Sequence, residues 1–308
     1  QVWIYLAAIL AGLVFGSVSP EIASRLENVI WPILALLLLA TFTQVPLARL
    51  FESFRDGKFM SAAILGNFLL LPMLVLVLLH FAPNDPAIRL GIALVLLVPC
   101  TDWFITFAHQ GGGDAARAIA ITPAMLLIQI VMLPVYAALF MGTDLAQQIL
   151  SSQISIAFLT VILTPLGLAY AAERWAMRDH RRQQLIQRLG WLPVPLLALV
   201  LFLVAASQVE AVMQARHLAS DLLVIFTLFL LGACMCGVLL ARLFRLPQAE
   251  GRTLLFSFAT RNSFVVLPLA LALPATWQAA AVVIVYQSMV ELFSMLLLLF
   301  LFSKQKTA

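Results

Sequence analysis

Three ionisable side chains stand in stretches that are otherwise apolar: Asp102, Arg261 and Glu291. A charge at the middle of a bilayer costs at least ~2.5 kcal/mol on insertion scales, so each is expected to meet a partner or to line a hydrated path. Pro99-Cys100-Thr101-Asp102 and Thr260-Arg261-Asn262-Ser263, the latter with Pro268 downstream, interrupt their apolar runs with residues that break or soften a helix. Unwound backbone inside a membrane offers N–H and C=O groups, and paired interruptions point to a central binding site. Asp102 and Arg261 are expected to meet in a shared polar pocket, and an ion pair between them is one reading of the sequence. Such a pair either staples the two segments or is opened by a competing solute or proton. Glu291 has no opposite charge within its own run, which suits a proton carrier or a hydrogen-bonded structural carboxyl. Cys100, at the Pro99 break, is either a small core side chain or a soft ligand. Thr101 and Asn262 are candidate hydrogen-bonding groups of the same site. Asn67, with Pro72, interrupts a further run, and Gln44 and Gln129 either line a path or tie helices together.

Other chemistry finds little support. Gly111-Gly112-Gly113-Asp114 lacks the Lys-Ser/Thr ending of a phosphate-cradling loop and reads as a tight turn. His80, His109, His180 and His217 sit at the ends of apolar runs or between them, in no metal-ligand or Ser-His-Asp spacing. Cys234 and Cys236 are two residues apart, on nearly opposite faces of a helix, and are expected to pack rather than chelate. No cofactor, resident metal or enzymatic activity is expected.

The elements that position these residues follow from composition. Of 308 residues 63% are hydrophobic and 10% charged, and the mean hydropathy is +1.05. A soluble domain carries roughly a quarter charged residues and has nowhere to hide so much apolar surface. The apolar runs approach the ~20 residues that a helix needs to cross hydrocarbon. Breaks at Pro, Gly and charge clusters predict ten spans, at 1–18, 29–47, 59–81, 89–109, 116–141, 148–172, 189–209, 218–241, 252–273 and 278–302. Under this placement 14 of the 18 basic residues fall in alternate loops on the side of the termini and 3 on the other. The positive-inside rule then makes both termini cytoplasmic, and a bacterial inner membrane is the expected location. The net charge of +4 therefore reports topology, not nucleic-acid binding.

The longest polar stretch divides the chain near its middle, leaving five spans on each side. Two odd-numbered halves insert with opposite orientations, the plan of many secondary transporters. The expected fold is an all-α polytopic membrane protein: ten transmembrane helices as two inverted five-helix repeats, with broken and crossed helices 4 and 9. The repeats are residues 1–172 and 189–308, joined by a basic cytoplasmic linker at 173–188. Spans 3–5 and 8–10 would form a core and spans 1, 2, 6 and 7 a panel.

At these residues the sequence resembles the bile-acid/sodium symporter superfamily, and within it the arsenite-efflux permease branch. The likeness is sharpest at Val98-Pro99-Cys100-Thr101 followed by Gly113-Asp114, similar to that branch's Pro-Cys motif and Gly-Asp loop. Phe42 to Pro46, Asn67 to Pro72, Ala259 to Asn262 and Val285 to Glu291 match in order. The resemblance implies functional roles for Cys100 and Glu291. The chain departs from that pattern at Asp102-Trp103, and at Arg261-Asn262, where the permeases carry paired asparagines. The Glu and Gln that serve the sodium-coupled branch as cation ligands in span 9 are absent, and an arginine there repels sodium or fills its place.

The expected function is secondary transport: arsenite or antimonite efflux by proton exchange, with sodium coupling disfavoured. In that scheme Cys100 contacts the metalloid and Asp102 and Arg261 set the charge of the site. Thr101 and Asn262 give hydrogen bonds, and Glu291 carries or gates the proton. The alternatives are transport of a small organic anion anchored on Arg261, and a membrane receptor without flux.

Overall fold

A computed structural model describes residues 2–47, 57–101, 103–149, 162–177, 179–207, 209 and 218–304. In lipid an open chain can satisfy its backbone only as helices, and that is what these residues form. They comprise α1 (Val2–Val18), α2 (Pro20–Phe42), α3 (Gly57–Leu65) and α4 (Leu71–His80), the last two joined by a π-helical turn at Gly66–Leu70. Then come α5 (Pro86–Leu97), α6 (Trp103–Gln110), α7 (Ala115–Ile149), α8 (Thr164–Ala176) and α9 (His180–Arg188). A 3-10 turn, Leu189–Trp191, leads to α10 (Pro193–Ser207), α11 (Ala219–Leu243), α12 (Gln248–Ala259), α13 (Ser263–Leu271) and α14 (Ala279–Lys304). Gly57–His80, Ala115–Leu133, His180–Ser207, Ala219–Leu243 and Ala279–Phe302 are each long and apolar enough to cross a membrane. The protein is an all-helical, polytopic membrane protein. The helices α5 and α12 have 12 residues each, about 18 Å of rise, and cross only in company with α6 and α13.

The helices pack as two sets. Neighbours α1, α2, α8 and α10 pack on one another, and α3 to α7 pack with α11 to α14. The sets touch where α2 meets α13 and α1 meets α14. In lipid, helix pairing depends on close approach rather than on hydrophobic burial. Gly12 and Gly16 supply it on α1: a Cβ at Gly12 would collide with Phe202 O, and one at Gly16 with Ala206 O of α10. In the second set, the loop after α6 is fixed to the start of α12. Asp114 N–H donates to Thr253 Oγ1 (2.7 Å) and to Ala249 O (3.2 Å), while Arg117 reaches Glu250 at 3.4 Å.

Three boundaries differ from the sequence reading. The loop expected at 19–28 is helical from Pro20, because Pro and Glu21 open a helix well and the non-helical connection shrinks to Ser19. The break expected at 142–147 lies inside α7, which runs to Ile149. The polar linker is not a loop: α8 extends to Ala176, and Asp179 caps α9 by accepting from Arg181 N–H (3.0 Å).

Candidate functional site

The two interruptions meet. Pro99 pushes Val98 out of the helical region (φ −108°, ψ 112°), and Thr260 is extended in the same way (φ −112°, ψ 143°). The extended stretches run antiparallel, with Pro99 opposite Arg261. Asn262 N–H donates to Val98 O (2.8 Å) and Cys100 N–H to Thr260 O (3.4 Å). The crossing thus pairs some of the backbone groups that each break releases, which would otherwise be costly to bury.

Arg261 occupies the centre and is fully buried. Its Nη1 donates to Leu96 O (3.3 Å). Its Nη2 has three acceptors: Phe258 O (2.7 Å), Asn67 Oδ1 (3.0 Å) and Ser257 O (3.2 Å). The Phe229 ring lies 5.2 Å from the guanidinium carbon, a cation–π distance. Leu96, Ser257 and Phe258 belong to the last turns of α5 and α12, whose unpaired carbonyls carry the negative ends of two helix dipoles. A fixed cation is therefore seated where two negative ends converge. The opposite sign appears on the other side, where the main-chain N–H of Arg261, just before α13, donates to Glu291 Oε2 (2.8 Å).

The remaining candidates join this network unevenly. Glu291 Oε2 also accepts from Gln287 Nε2 (2.7 Å), and Gln287 Oε1 accepts from Ser263 Oγ (3.2 Å). The carboxyl with no opposite charge in its own run has a neutral partner a single turn away, because i and i+4 share a helix face. Asn262 caps α13 through Oδ1, accepting from Val265 N–H (3.3 Å), and its Nδ2 donates to Thr101 Oγ1 (3.1 Å). Asn67, in the π-helical turn, donates to Ser257 Oγ (3.1 Å) and Ala63 O (3.2 Å). Cys100 is 1% exposed, and its side chain belongs to the apolar core. Asp102 lies outside the described residues, and so does a pair between it and Arg261. Gln129 is buried with no hydrogen-bond partner among the described residues.

A cavity of ≈ 240 Å³ opens beside the crossing, between the two helix sets. Tyr5, Thr41, Gln44, Thr101, Trp103, Thr106, Gly190 and Pro193 line it with four aliphatic side chains, and no described lining residue is charged. Thr41 lines the cavity, but its Oγ1 is buried away from it, without a hydrogen-bond partner among the described residues. Gln44 and Thr101 are the two lining residues that the sequence reading had singled out.

Sequence reasoning missed Ser257, Gln287 and Phe229. The first two were open to it, since each is a polar residue exactly one turn before Arg261 or Glu291 in an apolar run. Phe229, one aromatic among 21 phenylalanines, carries no such signal.

A search of curated proteins finds no match. The model of the sodium bile acid symporter family matches residues 31–215, which hold the first crossed break but neither Arg261 nor Glu291. That match covers more than half of the 308 residues. With its helical, polytopic build, the chain belongs to the sodium bile acid symporter family, a family of membrane transporters.

Proposed function

We propose that this protein is a secondary transporter that exports arsenite or antimonite in exchange for protons. The observation that carries the substrate is the cavity, whose described lining brings together the hydroxyl-bearing Tyr5, Thr101 and Thr106 and the amide of Gln44. Arsenous acid is an uncharged trihydroxide at neutral pH, and three hydroxyls match such a wall. An organic anion would need a cationic anchor, whereas Arg261 is fully buried with Nη1 and Nη2 engaged by four acceptors, and only its Nε has no partner among the described residues. Cys100 adjoins the lining residue Thr101; as a soft ligand it would act after the extended segment moves in alternating access.

The same geometry supports coupling to protons rather than sodium. Arg261 holds the oxygen atoms that a metal cation would use. Protonating Glu291 would weaken the acceptor that ties α14 to the start of α13, so a proton could loosen the crossing. Two inverted repeats, 1–172 and 189–308, would then move one helix set against the other, with both termini cytoplasmic. Proteoliposomes test this. A pH gradient should drive arsenite accumulation, and a sodium gradient alone should not. Accumulation of small carboxylates instead, or strict dependence on sodium, overturns the reading. Specific binding without accumulation would show a receptor.

A further inference from the structure

The helix α9 is polar in composition yet joins two apolar helices, and none of its nine residues is buried. At 100° per residue, Leu185, Ile186 and the following Leu189 fall within an arc of about 100° that also takes the stem of Arg182. His180, Gln183, Gln184 and Gln187 form the opposite face, and Arg181 and Arg188 flank the apolar arc beside Leu185. Leu185 is 51% exposed, Trp191 65% and Trp175 44%. Arginines stack on the aromatic residues: Arg182 lies 4.6 Å from the Trp175 ring and Arg174 5.6 Å from that of Tyr170. Asp179 caps the helix and faces Arg182 at 3.9 Å. Exposed Trp and Tyr in the elements on either side of a short, arginine-bearing amphipathic helix are the composition of a segment at the headgroup level of a bilayer. Such an arginine cluster favours anionic headgroups.

The far end of this helix is part of the cavity. From Arg188 the chain turns once through Leu189–Trp191, and Gly190 and Pro193 line the cavity wall. A Cβ at Gly190 would stand 2.8 Å from Gln44 Oε1, so these two residues form a close rim.

We propose that α9 is seated on anionic phospholipid, with Leu185 and Ile186 toward the acyl boundary, Arg181 and Arg188 on lipid phosphates, and Trp191 at the end of the helix as a reporter of the seat. This seat holds Gly190 against Gln44 and keeps the cavity rim narrow. The partner is a lipid leaflet, and the inference stands whatever solute the cavity takes.

The test uses the full chain in nanodiscs of phosphatidylcholine carrying increasing brominated phosphatidylglycerol, with Trp191→Phe isolating the Trp191 signal. Bromolipid should quench Trp191 far more effectively as phosphatidylglycerol than as phosphatidylcholine. Arg181→Gln with Arg188→Gln should lower that preference roughly 30-fold, which is ~2 kcal/mol at ~1 kcal/mol per arginine. Both arginines are exposed, and an unchanged unfolding temperature of the double variant would show that the fold persists. Equal quenching by the two bromolipids, or an unchanged preference in the double variant, overturns the lipid seat. For the rim, maleimide labelling of Gln44→Cys in a Cys234→Ser, Cys236→Ser background should be at least several-fold faster without anionic lipid. Labelling rates independent of lipid charge overturn the link to the cavity. Neither readout involves transport, so arsenite could fail as substrate while the lipid seat stands.

Discussion

Replacing Arg261 by Ala removes the cation around which the crossing is built. Four acceptors, Leu96 O, Ser257 O, Phe258 O and Asn67 Oδ1, lose donors at 2.7 to 3.3 Å. At ~1–3 kcal/mol for each orphaned buried acceptor the loss is ~4–12 kcal/mol. Water entering the space left by the guanidinium holds the effect near the lower end. Three of the oxygens surround the position of Nη2, a ligand set that suits a hard monovalent cation. The variant should therefore unfold at a lower temperature than the parent and recover part of the loss in sodium. A site occupied at 100 times its dissociation constant returns ~2.7 kcal/mol. The assay is thermal unfolding of purified protein followed by tryptophan fluorescence, in choline, potassium and sodium chlorides at equal ionic strength. The parent should not respond to the choice of cation. An Arg261→Ala protein that melts with the parent, or sodium stabilisation equal in both, refutes the tethered-cation account.

Glu291→Gln keeps an amide oxygen in place to accept from Arg261 N–H and Gln287, but it carries no titrating proton. Arsenite binding and solute exchange should persist, whereas pH-gradient-driven accumulation should vanish; gradient-driven transport within two-fold of the parent contradicts the proton role. Thr106→Val deletes an exposed hydroxyl of the cavity wall, so the unfolding temperature should hold. Affinity for arsenite should fall by the worth of one neutral hydrogen bond, ~0.5–1.5 kcal/mol, measured by equilibrium binding; unchanged affinity would move the solute elsewhere. Gly16→Val drives a side chain into Ala206 O, and overpacking of this kind costs ~1–3 kcal/mol or more. Its unfolding temperature should drop below that of Val14→Ala, an exposed position, and equal stability would show that α1 and α10 need no close approach.

Composition alone places this chain in a bilayer, because 63% hydrophobic residues in recurrent runs have no other solvent. The sequence also locates both interruptions. Pro99 lacks an N–H and restricts Val98, and Thr260-Arg261-Asn262-Ser263 sets polar residues where lipid tolerates none unpaired, so the breaks are written in local chemistry. The helix boundaries at Pro20 and at α9 were less legible, since a capped polar segment and a loop share composition and differ by only a few tenths of a kcal/mol per residue in helix propensity. Which side chains meet is settled by the packed helices. That Arg261 would spend its guanidinium on Asn67 and on the carbonyl end of α5, while Glu291 takes its main-chain N–H, depends on contacts across 30 to 194 positions of sequence. Those pairings follow from how the two broken helices cross. Helix crossing is set by the shapes of whole packed faces, which no local spacing of residues encodes.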